Sequence, residues 1–393
     1  MPDSDEQREL LRAIREVARS AGQGHIERDA GGEFDTEGWK RLCNVGLFGL
    51  PFGTEWGGLG QDLVTTVAVL EELGYGCHDT GLTFSATTHL VSTGVPLHRF
   101  GSADLKSRYL PGVCAGTTIG AHAITEPGGG SDMTAMRTSA ARDGDAFVLN
   151  GSKAFVSNGP LADLIVVYAR TGEPGDIGGL TAFLVRRDSP GVTVGQPVGK
   201  LGLRTSPLAE VFLEDVRVPR DHVIGGVGAG FLVFDHVMQW EILCGFAVTT
   251  GELRRRLEHC VEHARSRTQF GVHIGSHQAV SHKLVDLRID VETARKWLHD
   301  TARRAQNRED VAADIATTKL IVSEANVRSA LAAVQIFGGY GYTTEYGLEK
   351  ELRDAVGGTI YSGTSEIQRE RLAVLMGLDR PLTTTGKKGR TWQ

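Results

Sequence analysis

One glutamate in an apolar helical stretch is the residue of this chain best suited to acid–base chemistry. The segment "FLVFDHVMQWEILCGFAVTTG" repeats apolar or small residues three and four positions apart, which predicts one buried helix face. Glu241 falls in the middle of that face, which consists of Phe234, Val237, Met238, Cys244, Gly245 and Val248. A carboxylate among core residues must be protonated, ion-paired or functional. Glu241 is therefore either a base or half of an ion pair with an arginine of a neighbouring helix.

Two further segments carry groups that suit a bound cofactor. The glycines of "TEPGGGSD" leave backbone N–H groups accessible, and Thr125 and Ser131 add hydroxyl donors. The later segment "LNGSKAFVSNG" offers the aromatic face of Phe155 and the hydroxyl of Ser157. Taken alone, the loop is typical of a surface turn and Phe155 of an ordinary strand residue that points inward.

The order of predicted elements indicates an α+β fold of three parts. We expect an N-terminal helical domain over 1–118, a β-domain over 119–228, a C-terminal helical bundle over 229–380 and a tail over 381–393. Long helices are predicted at 230–265, 277–306 and 309–337, with a shorter one from about 364. In the β-domain, "AFVLNGSKAFVSNG" predicts two strands joined by a turn at Asn150-Gly151.

A dinucleotide-binding parallel sheet is not expected. Strands and helices do not alternate along the chain, and the glycine run "GGVGAGF" is not placed between a strand and a helix. The run is interpreted as the entry to a helix. His277 and His282 are five residues apart, so they do not share a helical face, and no metal site is predicted.

Three segments, in order, resemble the acyl-CoA dehydrogenase family. They are "AHAITEPGGGSDMTAMRT" with "LNGSKAFVSNG", "RSRTQFGVHIGSHQAV", and "QIFGGYGYTTEYGLEKELRDAVGGTIYSGTSEIQRERLA". The resemblance implies an acyl-CoA dehydrogenase-like fold, with an N-terminal helical domain, a middle β-barrel or sandwich and a C-terminal four-helix bundle. It also implies FAD as cofactor and α,β-dehydrogenation of an acyl thioester as the reaction.

The resemblance implies an FAD site shared between subunits. Arg267 resembles the arginine that meets the FAD pyrophosphate. In the family the "QIFGG" segment comes from a neighbouring subunit, so a homo-oligomer is implied, at least a dimer and usually a tetramer. The residues implied to bind FAD are Ile124, Thr125, Gly130, Ser131, Phe155, Ser157, Arg267, Phe270, Gln278, Gln335, Gly338, Gly339, Thr364 and Glu366.

The family's usual catalytic base is missing from its usual place. In most members the residue before the Gly-Thr of the C-terminal signature is a glutamate, whereas "TIYSGTSEIQRER" has Ser362 there. A subset that resembles isovaleryl-CoA dehydrogenase takes its base from the preceding long helix, at the position of Glu241, and keeps the C-terminal position small. The resemblance therefore implies that Glu241 is the catalytic base.

The substrate handle follows from a second departure. Members that hold coenzyme A often carry Asp-x-x-Arg on this helix, where the present chain has Gln239 and Ile242. A related branch acts on acyl or prolyl groups tethered to carrier proteins, which present no adenine nucleotide. We expect a short, branched or cyclic acyl thioester on coenzyme A or on an acyl or peptidyl carrier protein, with the carrier protein slightly favoured. The implied electron acceptor is an electron-transfer flavoprotein or oxygen.

Composition indicates the class of binding partner and the cellular location to expect. The formal net charge of −6 and the lack of basic runs give no reason to expect nucleic-acid or membrane binding. Five cysteines without a CxxC pair and an acidic, helical N-terminus without a signal peptide favour a cytoplasmic enzyme. Two alternatives remain: a flavin monooxygenase on the same scaffold, and a non-catalytic member of the family, which Ser362 would favour.

Overall fold

The computed structural model describes residues 5–173 and 176–378. Helices form the N-terminal part of the described chain: α1 (Asp5–Ala21), α2 (His25–Gly31), α3 (Thr36–Asn44), α4 (Leu63–Gly76), α5 (Thr80–His89), α6 (Val95–Phe100) and α7 (Ala103–Cys114). A π-helical turn joins α5 to α6. Asp35, Asp62, Asp79 and Ser102 begin four of these helices by accepting hydrogen bonds from backbone N–H groups of the first turn.

A twisted sheet follows the first helices. Its strands are β1 (Gly120–Ala123), β2 (Ser139–Asp143), β3 (Ala146–Ser157), β4 (Leu164–Arg170), β5 (Leu180–Arg186), β6 (Val192–Val194), β7 (Leu208–Pro219) and β8 (Val223–Ile224). They lie in the order β6-β7-β3-β2-β4-β5-β8, and β1 pairs in parallel with β4. Most other pairs are antiparallel, and both faces of the sheet are covered by apolar clusters.

The turn predicted at Asn150-Gly151 is wrong. Both residues lie inside β3, and the hairpin turn joining β2 to β3 is at Gly144-Asp145. The pairing of β3 with β7 shifts register between Leu149 and Gly151, as at a β-bulge. Asn150 and Asp215 exchange two hydrogen bonds there, at 2.9 and 2.8 Å, so the Asn-Gly pair forms a bulge across two strands.

Helices return after the sheet, in the predicted order. They are α8 (Gly230–Ser266), α9 (Gln278–Gln306), α10 (Ala312–Phe337), α11 (Gly339–Tyr342), α12 (Leu348–Gly357) and α13 (Ser365–Leu375), with a short hairpin of β9 (Thr268–Gln269) and β10 (Val272–His273) after α8. The four predicted helices are confirmed to within three residues at each of their predicted ends. The predicted domain boundaries stay predictions, and the tail over 381–393 lies outside the described residues.

The glycine run before α8 corrects one expectation. It does connect a strand, β8, to a helix, whereas the sequence showed no strand there. However, β8 is a two-residue strand paired antiparallel with β5. Such a connection is not the parallel βαβ unit that binds dinucleotides, so the conclusion against that fold holds.

The 37-residue helix α8 packs against both the sheet and the N-terminal helices. Near its start, Phe234 meets the ring of Tyr168 from the sheet, with ring centroids 6.1 Å apart. Further along, α8 crosses α4 so closely that a Cβ on Gly74 would lie 1.9 Å from the carbonyl oxygen of Val248. Glu241 lies between these two contacts. By length and composition α8 and α10 could each span a membrane, but both form the packed interior of the helical bundle.

Candidate active site

Glu241 and Ser362 are in direct contact, although 121 positions separate them in the chain. The Ser362 hydroxyl donates a hydrogen bond of 2.6 Å to Oε1 of Glu241. Ser362 lies in the loop between α12 and α13 with φ of 55°, and its carbonyl accepts from Gln368 Nε2 at 2.9 Å. The loop thus holds the hydroxyl in a left-handed conformation that few residues other than glycine adopt readily.

The second carboxylate oxygen of Glu241, Oε2, has no hydrogen-bond partner in the described chain. Oε2 is buried and accepts no hydrogen bond from the described residues. The basic residue beside it is His122 on β1, whose Nε2 lies 3.6 Å away. Burial lowers the pKa of His122, against the opposing charge of Glu241, so the imidazole is neutral at neutral pH. The predicted arginine partner of Glu241 is absent from the described residues, since no Arg or Lys pairs with it.

A buried ion pair between Lys153 and Glu126 anchors the glycine-rich loop "TEPGGGSD". Lys153 of β3 lies 3.0 Å from Oε1 of Glu126 and donates to the carbonyl of Ile124 at 3.1 Å. Glu126 also accepts from the backbone N–H groups of Arg137 and Thr138 and from the Thr138 hydroxyl. Burial raises the pKa of Glu126, but the Thr138 hydrogen bond and the charge of Lys153 outweigh it and lower that pKa to about 2.

Sequence reasoning missed this anchor and His122. Both anchor residues lie in quoted motifs, but only tertiary pairing reveals their role. Lys153 was detectable as the one charged residue in the motif "LNGSKAFVSNG". His122 carried no comparable signal, because a lone histidine is common in protein interiors.

Hydroxyl groups in and beside the loop have no hydrogen-bond partner within the described chain. The hydroxyls of Thr125, Ser131 and Ser157 make no hydrogen bond with any other residue in the described part of the chain. A Cβ on Gly128 or Gly129 would enter open space, so room exists outside the loop. The N–H of Gly129 is not available to a ligand, because it donates to the carbonyl of Glu126 at 3.0 Å.

Phe155 does not point inward. Its side chain is 66% exposed, its φ is 55°, and it lies where the pairing of β3 with β7 shifts register between Lys153 and Val156. An aromatic ring held outward by the backbone offers a stacking surface beside Ser157 and the loop. The arrangement fits a flat, hydrogen-bonding ring system such as the isoalloxazine of FAD.

A second group of predicted FAD residues gathers at the far end of α8. Arg267 follows the helix, and its guanidinium lies 5.6 Å from the centre of the Tyr340 ring. Phe270 is 95% exposed at the tip of the β9–β10 hairpin, where its φ of 52° and that of 79° at Gly271 form the turn. Gln278, Gln335, Gly338 and Gly339 are likewise exposed around these residues, at the start of α9 and the end of α10.

The remaining two predicted residues lie beside Ser362. Thr364 begins α13, and its hydroxyl accepts a hydrogen bond of 3.3 Å from the N–H of Ile367. Glu366 is exposed in the first turn of that helix. A hydrogen bond to a backbone N–H and another to Thr364 lower the pKa of Glu366.

The predicted FAD residues therefore form separate groups within one chain. Glu241 and Arg267 are 26 residues apart along α8 and its end, which corresponds to about 39 Å of helix. The far group shares no hydrogen bond, ion pair or ring contact with the loop residues or with Phe155 in the described structure. Within the described part of one chain, the two groups are thus not in contact with each other.

Comparison with family models decides the relationship of the chain. The N-terminal, middle and C-terminal domains of acyl-CoA dehydrogenase match residues 4–117, 121–216 and 228–376. The chain belongs to the acyl-CoA dehydrogenase family. The expected fold is confirmed, with helices before and after a β-domain.

Individual relatives of this acyl-CoA dehydrogenase family member act on two kinds of thioester. The chain is 39% identical to an L-prolyl-[peptidyl-carrier protein] dehydrogenase of Pseudomonas fluorescens. The match covers 86% of this chain and 90% of that relative. It is 34% identical, over 87% and 90%, to a short-chain specific acyl-CoA dehydrogenase of Megasphaera elsdenii.

Solved structures agree with this relationship. The prolyl acyl carrier protein oxidase AnaB is 37% identical with a TM-score of 0.93, over 96% of this chain and 100% of that one. The complex of PigA with FAD and proline is 35% identical with a TM-score of 0.93, over 96% and 99%.

Proposed function

We propose that this chain is an FAD-dependent dehydrogenase of acyl thioesters in which Glu241 removes the α-proton. The observation that carries the proposal is the contact between Glu241 and Ser362. The carboxylate on α8 occupies the place facing the C-terminal signature, where that signature itself supplies only a hydroxyl. The Ser362 hydroxyl holds Oε1, and the unpartnered Oε2 is left to accept a proton.

The chain's residues would divide the work of the reaction between them. Thr125, Ser131 and Ser157 would hold the flavin by hydrogen bonds, with Phe155 against its ring. When bound, FAD supplies the acceptor for the β-hydride, so that loss of the α-proton to Glu241 leaves an enoyl thioester. The Glu241 side chain is 19% exposed, but its Oε2 atom is buried, which limits the access of water to the base.

The cofactor site is completed, in this proposal, by a second copy of the chain. The exposed Arg267 and Phe270 and the exposed end of α10 would cover the FAD of a neighbouring subunit. Complementation tests this. A Phe155→Ala chain and an Arg267→Ala chain, each poor in flavin, should regain flavin when coexpressed, because one hybrid site is intact. A site built within a single chain would show no rescue.

We further propose that the substrate is a prolyl group, or a similar cyclic aminoacyl group, on a peptidyl carrier protein. Ile242 is buried, and Gln239 donates to Asp235 at 3.1 Å, so these two positions offer no charged pair for a nucleotide. The similarity to prolyl carrier-protein dehydrogenases supports the same handle. A coenzyme A thioester is the second candidate, favoured by the short-chain acyl-CoA relatives.

Anaerobic bleaching of the bound flavin tests both proposals. The same acyl groups would be offered on coenzyme A and on a carrier protein to wild type, Glu241→Gln and Glu262→Gln. Glu262 is an exposed glutamate on the same helix and serves as the matched control. Rapid bleaching by wild type and Glu262→Gln, with a loss of at least a hundredfold in Glu241→Gln, is expected for a general base.

The pattern of results separates the alternatives. Equal bleaching in Glu241→Gln and wild type would remove Glu241 from the chemistry. Bleaching by NADPH and a reductase, but by no thioester, would favour the monooxygenase. The handle that bleaches faster identifies the substrate class, and reoxidation by oxygen or by an electron-transfer flavoprotein identifies the acceptor. The five unpaired cysteines, four of them buried, fit the cytoplasmic location included in this proposal.

A further inference from the structure

Three buried polar atoms near the tip of Glu241 lack hydrogen-bond partners among the described residues. They are Oε2 of Glu241, Nδ1 of His122 and the hydroxyl oxygen of Tyr168. Buried polar groups in folded proteins almost always have partners, so these atoms, one of them on the carboxylate itself, are available to form hydrogen bonds with a substrate. The reaction proposed above uses only the first of them.

Sheet register places the histidine and the tyrosine on one side of the sheet. His122 of β1 pairs in parallel with Val166 of β4, and Tyr168 is two residues beyond Val166. Paired residues and residues two apart share a face, so all three point the same way. That face packs against α8 through Val237 and other residues of the same cluster. The imidazole and the phenol therefore lie on the sheet face that α8 covers, where both are influenced by the charge of Glu241.

The charge of this region is negative and unbalanced. Within the described chain, His122 is the only basic residue at ion-pairing distance from Glu241, and burial lowers its pKa. Burial raises the pKa of Tyr168, and the charge of Glu241 raises it further, so the phenol stays neutral. Tyr361, near Glu241, is kept neutral by burial in the same way. Neutral hydrogen-bonding groups beside one carboxylate suit a ligand that brings N–H donors or a positive charge.

The position of these groups specifies which part of the substrate they meet. Glu241 must reach the α-carbon, and Nε2 of His122 lies 3.6 Å from its carboxylate. An atom bonded directly to the α-carbon is therefore within hydrogen-bonding reach of the imidazole. A plain acyl group presents only C–H bonds there and would leave the polar atoms unsatisfied. An aminoacyl group presents its nitrogen.

We propose that His122, assisted by the Tyr168 hydroxyl, binds the α-nitrogen of an aminoacyl thioester and so selects aminoacyl over plain acyl groups. This inference rests on the proposed function and names the residue that decides its substrate class. His122 acts here as a specificity residue, whereas Glu241 acts on the α-proton. A hydrogen bond to a charged group accounts for about a tenfold to hundredfold preference.

Two substrates of equal shape test the inference. Prolyl and cyclopentanecarbonyl thioesters of the same carrier protein differ only at one ring position, which is NH₂⁺ in the protonated prolyl group and CH₂ in the other. Flavin reduction would be measured anaerobically with wild type, His122→Phe, His122→Gln and Tyr168→Phe. Wild type should prefer prolyl by about tenfold to a hundredfold. His122→Phe should lose that preference, whatever its rate with the cyclopentanecarbonyl substrate, and His122→Gln should keep part of it.

Tyr168→Phe provides a variant that leaves packing intact. It removes only a hydroxyl without a partner, so folding should be unaffected and the prolyl preference reduced. Equal slowing of both substrates in His122→Phe and an unchanged preference in Tyr168→Phe would overturn the inference. So would loss of flavin from His122→Phe with an unchanged preference, because the imidazole would then serve the cofactor.

Failure of the proposed function would look different. The flavin of the wild-type protein would then be reduced by neither thioester. Binding of the two carrier-protein thioesters to the wild-type flavoprotein, measured by calorimetry, would then show whether the α-nitrogen is recognised. A prolyl preference that disappears in His122→Phe would support the inference, and equal binding of both thioesters to wild type would overturn it.

Discussion

The buried pair of Glu126 and Lys153 gives the sharpest prediction about stability. Glu126→Ala removes the acceptor of four donors that anchor the glycine-rich loop. It also leaves the Lys153 ammonium, whose side chain is fully buried, with only the carbonyl of Ile124. Removing one partner of a buried ion pair costs about 3–5 kcal/mol, because the other charge stays uncompensated. We expect the free energy of unfolding to fall by that amount.

Denaturant unfolding of the flavin-free protein measures the effect. Glu210→Ala is the matched control, because Glu210 is an exposed glutamate on β7 and should change the free energy of unfolding by less than about 0.5 kcal/mol. The double variant Glu126→Ala/Lys153→Met removes both buried charges and should recover much of the loss. Flavin should dissociate faster from Glu126→Ala, since the same loop presents Thr125 and Ser131.

Two results would refute this reasoning. If Glu126→Ala costs no more than Glu210→Ala, the pair does not stabilise the fold. The second result concerns the double variant. If adding Lys153→Met to Glu126→Ala lowers the free energy of unfolding further, the lysine is stabilised by packing or by other partners rather than by the carboxylate.

Three other perturbations test the site and its surroundings. Ser362→Gly removes the hydrogen bond to Glu241 without straining a left-handed backbone, so flavin reduction should slow about tenfold or more with unchanged stability; unchanged kinetics would contradict the contact. Phe155→Ala should weaken flavin retention but not folding, because the ring is exposed; fluorescence of released flavin measures it, and lost stability would show that the ring is packed. Burial raises the pKa of Glu71, but His299 and Arg254 outweigh it and lower it to about 2. This group stabilises the fold above its ordinary pKa of about 4.5, and its contribution is lost as pH falls toward 2. Denaturant titrations from pH 7 to 3 should therefore show the gap between wild type and Glu71→Gln narrowing below about pH 4.5, and a constant gap would contradict the shift.

The sequence by itself determined the elements and their order. Helices α8, α9 and α10 were predictable because their apolar residues recur at helical spacing over more than twenty residues. Glu241 was identifiable because a single carboxylate interrupts such a stripe, and its position beside core residues follows from the periodicity alone. The family motifs located the cofactor loop, since their residues and order carry the resemblance independently of any contact.

Only the tertiary structure decided what those residues touch. Asn150-Gly151 has a strong local preference for a turn, but pairing with Asp215 on another strand overrides it and makes a bulge. An ordinary strand pattern would place Phe155 inward, but the shifted register of β3 turns its ring outward. The contact of Ser362 with Glu241, the pairing of Lys153 with Glu126 and the approach of His122 all join distant positions. Side-chain periodicity reports which face of an element is buried, whereas the partner on that face depends on how elements pack, and packing is a property of the whole chain.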